Sequence, residues 1–124
     1  MFDYAAARQF LADKHAQFAQ DNLRRWEVAA QDAQKIIAMI QEEFCPRAIY
    51  QWGSVMHKEN FREYSDIDIA VEGLAQVDSI FKIARKADTL TTFPVHIVEL
   101  EKIEPQYAEI IRSKGKKVYE SSQH

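Results

Sequence analysis

Only one cysteine, Cys45, occurs in the 124 residues. No internal disulfide can form and no second thiolate stands ready for a metal, so a reducing, cytoplasmic setting is the expectation. As a free thiol, Cys45 is expected to pack as a small buried hydrophobe. No run approaches the ~18 consecutive apolar residues of a membrane span, and Met1 to Ala7 lack the basic stretch and apolar core of a signal peptide. Neither export nor membrane insertion is expected. An excess of positive charge is missing too. The formal net charge of −3 provides no global field for nucleic acid or anionic lipid, and direct nucleic-acid binding is not expected. The basic run Arg112 to Lys117 has no aromatics interleaved for base stacking and reads as a solvated helix end. Repeats and low-complexity segments are absent. At this length the chain is expected to form one domain, 1–124, with an ordinary core.

Glycine and proline are scarce, and from Asp3 to about Phe44 there are none. Ala, Gln, Arg, Lys and Glu dominate there, which predicts a helical segment over 1–44. Leu23, Trp26, Ala30, Ala33, Ile37, Ile40 and Phe44 recur at intervals of three and four and line one face. Asp21 or Asn22 offers an N-cap that would divide the segment into two helices, with one long helix as the alternative. Apolar residues on both halves exceed what a short sheet needs on one face, so a protein interface or homo-oligomer is expected there.

The segment 45–120 alternates strand and helix patterns. Pro46 closes the helical region, and "AIYQW" (Ala48 to Trp52) has strand composition, ending at Gly53. "DIDIAVE" (Asp66 to Glu72) puts Asp66, Asp68 and Ala70 on one face and Ile67, Ile69 and Val71 on the other. Val77, Ile80, Phe81, Ala84 and Ala87 then predict a helix. "VHIVEL" follows Pro94 as a third strand, Pro105 to Gly115 as a helix, and Lys117 to Glu120 as a short edge strand ahead of a frayed "SSQH" tail.

Two carboxylates about 6–7 Å apart on one strand face repel unless a cation sits between them. A hard divalent ion such as Mg²⁺ or Mn²⁺ accepts one or two protein carboxylates and completes its shell with water and substrate phosphate. A nucleoside triphosphate would supply that phosphate, and Gly53-Ser54 could hold it. Gly53 admits close backbone approach, while the Ser54 hydroxyl and the following N–H groups donate. The plainer alternative is that Ser65-Asp66 caps a turn and Asp68 faces solvent on an edge strand.

Gly53-Ser54 followed by Ser65-Asp66-Ile67-Asp68-Ile69-Ala70 resembles the G-S…D-x-D signature of the nucleotidyltransferase superfamily that includes DNA polymerase beta, in its minimal MNT form. The resemblance runs from Ile49 to Glu120. It implies an α/β (α+β) polymerase beta-like fold, a short mixed β-sheet flanked by helices, here with an N-terminal helical extension. It further implies metal-dependent attack of a hydroxyl on the α-phosphate of a triphosphate, with ATP the expected nucleotide, Asp66 and Asp68 binding Mg²⁺ or Mn²⁺, and Gly53 and Ser54 holding the triphosphate. Short members commonly act as antitoxins beside a helical HEPN toxin, which some silence by transferring AMP to a tyrosine, so a HEPN-type partner is expected.

The chain departs from the pattern twice. Where members often carry Gly and Arg after the Gly-Ser pair, it has "VMHKENFRE", leaving Lys58 or Arg62 as the candidate positive charge. Where the third carboxylate usually stands, it has His96. Glu99, three residues on, points to the opposite face and is no substitute. By alternation His96 can point at the carboxylates, as a metal ligand or general base. The competing expectation is an MNT-fold antitoxin that acts by protein binding alone. His15 and His57 read as solvated surface.

Overall fold

With no helix breaker before Pro46, α1 runs unbroken from Tyr4 to Phe44. The computed structural model describes residues 1–122, so His124 and the end of the expected tail lie outside the described residues. Asp3 caps α1, its Oδ1 accepting from the Ala6 N–H at 3.0 Å. The expected division at Asp21 or Asn22 does not occur. The Asp21 carboxylate accepts from Gln17 and Oδ1 of the buried Asn22 accepts from Arg25. Side chains satisfied along the helix have no cap to make, and good helix formers carry the backbone through. Cys45 ends the helix in the left-handed region at φ 45°, its N–H donating to Ile40 O. It is exposed, a correction to the buried thiol expected: a residue in the last turn's left-handed cap is turned away from the core.

The other elements are β1 (Ala48–Trp52), β2 (Ile67–Glu72), α2 (Ser79–Leu90), β3 (Val95–Glu99), α3 (Pro105–Lys114) and β4 (Lys116–Glu120). They form a four-stranded mixed sheet of order β3-β2-β1-β4. β1 pairs antiparallel with both β2 and β4, while β2 and β3 run parallel, joined through α2. β4 is indeed an edge strand.

Strand alternation divides the sheet between two clusters. Ile49, Ile67, Ile69 and Val71 face α1 and α2 and pack with Ala33, Ile36, Ile40 and Ile83. Each fully buried side chain of this size is worth about 1.5–3 kcal/mol. The opposite face carries Ala48, Tyr50 and Ala70, closed by Ala108 and Ile111 of α3 together with Leu100. α3 covers only part of this face. α2 presents Ile83 and Ala87 inward, and Val77 and Phe81, expected on its apolar face, are exposed. No helix among the described residues is long and apolar enough to cross a membrane.

Candidate active site

At one end of the sheet, where β1 finishes and β2 and β3 begin, three residues lie in one row. Trp52 pairs with Asp68 across the antiparallel ladder, and Asp68 with His96 across the parallel one. Their side chains share the face that α3 leaves partly open. The Ile67 N–H donates to Pro94 O at 2.9 Å, tying the starts of β2 and β3 together and setting Asp66, just ahead of β2, within reach of the His96 side chain. His96 Nε2 lies 3.5 Å from Asp66 Oδ2, and Nδ1 lies 3.8 Å from Asp68 Oδ1. One ligand atom from each of the three can be chosen so that all lie within 4.8 Å of one another.

Gly53 follows at φ +77°, a conformation that L side chains rarely adopt. A Cβ there would meet Asp68 Oδ2 at 2.2 Å. Glycine is required first for the turn and then for the carboxylate lying against it. Ser54 sits in the short 3₁₀ turn Gly53–Met56, which α1 holds in place: the Trp26 indole N–H donates to Val55 O at 2.7 Å. Trp26 therefore does more than the packing that helical spacing suggests. Ser65, buried, accepts from the Arg62 N–H at 2.9 Å and shapes the turn that delivers Asp66.

The two aspartates differ in setting. The Asp68 side chain is 13% exposed and that of Asp66 33%. Burial holds the Asp68 carboxyl above its ordinary value of 3.8; His96 opposes this shift and the Asp66 carboxylate adds to it. A group so placed gains from a cation. Two carboxylates and an imidazole, with a glycine opening room beside them, are a donor set that fits a divalent metal.

Of the other residues singled out in the sequence, Lys58 and Arg62 turn toward α1. Lys58 Nζ lies 5.9 Å from the Trp26 ring centroid and Arg62 Cζ lies 5.5 Å from that of Phe18. His15 and His57 are exposed, as expected. Within the basic run, Arg112 pairs with Glu72 and Lys117 with Glu120. Sequence reasoning missed Lys114, which lines a cleft beside Gly53. No local signal could have found it, because 60 residues separate the two positions.

A model of the polymerase beta nucleotidyltransferase family matches residues 34–124. The chain belongs to that family. No curated protein sequence matches it. Among solved structures, this chain is similar to the toxin-antitoxin MntA-HepT, with 23% identity over 75% of this chain and 74% of that one, at a TM-score of 0.56. It is also similar to a toxin-antitoxin with AMP-PNP, at 22% identity, 73% and 75% coverage and a TM-score of 0.59. A third is a tri-AMPylated Shewanella oneidensis HEPN toxin in complex with MNT antitoxin, at 23% identity, 77% and 75% coverage and a TM-score of 0.56. At such identities the likeness bears on the fold, and the nucleotidyltransferase fold is the one expected.

Proposed function

We propose that the protein is a metal-dependent nucleotidyltransferase that transfers AMP from ATP to a helical HEPN-type partner, and so acts as an antitoxin. The observation that carries this reading is the convergence of Asp66, Asp68 and His96 on one end of the sheet, against the Gly53-Ser54 turn. Support for the partner comes from the similar structures, two of which are described as an MntA-HepT pair and an AMPylated HEPN toxin with its MNT antitoxin.

In this reading Gly53 and Ser54 receive the triphosphate, and Lys58, turned toward α1 over Trp26, is not used. Asp66 and Asp68 hold Mg²⁺ or Mn²⁺. A metal held by these two carboxylates would supply positive charge to the attacking and leaving oxygens of an in-line displacement. The acceptor hydroxyl oxygen forms a bond to the α-phosphorus as the bond to the bridging oxygen breaks, and pyrophosphate leaves. His96, flanked by both carboxylates, takes the hydroxyl proton.

A second reading is favoured by the same histidine. His96 supplies no negative charge, so three-carboxylate chemistry is not available, and the protein would neutralise its partner by covering a surface. Incubation with the purified partner and ATP, in Mg²⁺ and in Mn²⁺, separates the two readings. Partner mass raised by AMP, and no rise with Asp66→Ala, is the expected result. Neutralisation by both proteins with no mass change would replace catalysis by binding.

A further inference from the structure

Between α3 and the turn after β1 lies an open cleft of about 450 Å³, walled almost wholly by apolar side chains. Trp52, Val98, Tyr107 and Ile110 line it together with Gly53 and Lys114. We propose that this cleft holds the nucleoside of the triphosphate, with Tyr107 and Ile110 gripping the base and Lys114 meeting phosphate. This rests on the nucleotidyltransferase reading and adds where the nucleoside sits.

The argument is one of continuity and chemistry. Trp52 is the cross-strand partner of Asp68, and Val98 follows His96 by two residues on the same face of β3. The cleft therefore begins at the row itself, in Trp52, and continues to Val98, about 7 Å or one strand repeat along β3 from His96. A nucleoside bound there would be tethered to phosphates at Gly53-Ser54, of which Gly53 also lines the cleft, and the tether makes its entry intramolecular. The volume falls in the range that small ligands occupy, and a mostly apolar wall with a few polar groups is the usual lining. It exceeds the need of a single aromatic side chain from a partner.

Two features lack a partner within the chain. Tyr107 and Ile110 are 57% and 51% exposed, although neighbouring Ala108 and Ile111 are buried. The Lys114 ammonium has no ion-pair partner among the described residues. It differs in this from Arg112 and Lys117, which both pair with glutamates.

The test compares ATP with inorganic tripolyphosphate by calorimetric titration in Mn²⁺. Tyr107→Ala and Ile110→Lys alter exposed positions, and circular dichroism confirms their folding. Each should weaken ATP binding about tenfold or more while leaving tripolyphosphate within about twofold, and Lys114→Met should weaken both. Unchanged ATP affinity in Tyr107→Ala and Ile110→Lys, with wild-type protein binding ATP, overturns this placement alone. Loss of partner modification at unchanged ATP affinity also overturns it and assigns the cleft to the partner. Failure of wild-type protein to bind ATP in either Mg²⁺ or Mn²⁺ removes the nucleotidyltransferase reading itself, and this placement with it.

Discussion

The carboxylate of Asp68 occupies the space that a side chain on Gly53 would need, its Oδ2 lying 2.2 Å from the position of a Cβ there. The turn and the acidic residue are thus fitted to one another across the β1–β2 ladder. Gly53→Ala would strain a backbone at φ +77° and push Asp68 out of its row with His96. We expect a loss of about 1–3 kcal/mol in stability. Divalent-ion binding should fall with it. Chemical denaturation and metal titration measure the two, and an alanine variant that binds metal normally would show that the fit is incidental.

Asp68 gives a pH dependence with a defined sign. Its carboxyl is held above 3.8, chiefly by burial, so the native state retains its proton more strongly than the unfolded chain. Its ionisation therefore removes stability from the metal-free protein as pH rises past 3.8, and the whole loss is present above the raised native value. Asp68→Asn should match or slightly exceed wild-type stability at neutral pH without metal, by roughly 1 kcal/mol or less. Saturating Mn²⁺ should reverse that order, and metal-dependent ATP binding should weaken roughly 10–100-fold. Thermal melts across the pH range, with and without metal, check both; equal metal stabilisation in the two proteins would count against Asp68 as a ligand.

In the proposed reading, the imidazole of His96 also sets which metal the site accepts. Imidazole is a poor ligand for Mg²⁺ and an acceptable one for Mn²⁺. Wild-type protein should show low AMP transfer in Mg²⁺, and His96→Asp should raise it by about tenfold or more by rebuilding a three-carboxylate site. Initial rates on the cognate partner read this out. Should His96→Asp leave the rate unchanged while Asp66→Ala abolishes it, His96 does not limit the reaction.

The first half of α1 should be an interface. Residues 1–20 are exposed apart from Ala7, with Phe2, Tyr4, Phe10, Leu11 and Phe18 all open to solvent. Tyr4 to Gln20 extends roughly 25 Å at the helical rise. Sedimentation should show a dimer, or a stable complex with the partner, that Phe10→Glu with Leu11→Glu disrupts without unfolding the body. A strictly monomeric protein that binds no partner would remove the idea.

Local pattern was enough for much of this protein. Period-two alternation alone placed Asp66 and Asp68 opposite Ile67, Ile69 and Val71, because a strand has only two faces. Proline and glycine marked the element ends, because each constrains the backbone whatever surrounds it. Other features depend on neighbours far away in the chain. Asp21 and Asn22 carry a cap signal, yet partners within the helix and the packing of α1 on the sheet keep it continuous. Val77 and Phe81 look apolar enough to be buried, and only the seat of α2 on the sheet leaves them exposed and buries Ile83 beside the expected Ala87. The Trp26 bond that holds the Gly53-Ser54 turn spans 29 residues. The cleft that unites Gly53 with Tyr107 and Lys114 exists only once α3 has folded back over β1, since residues so far apart can share a wall only through tertiary packing.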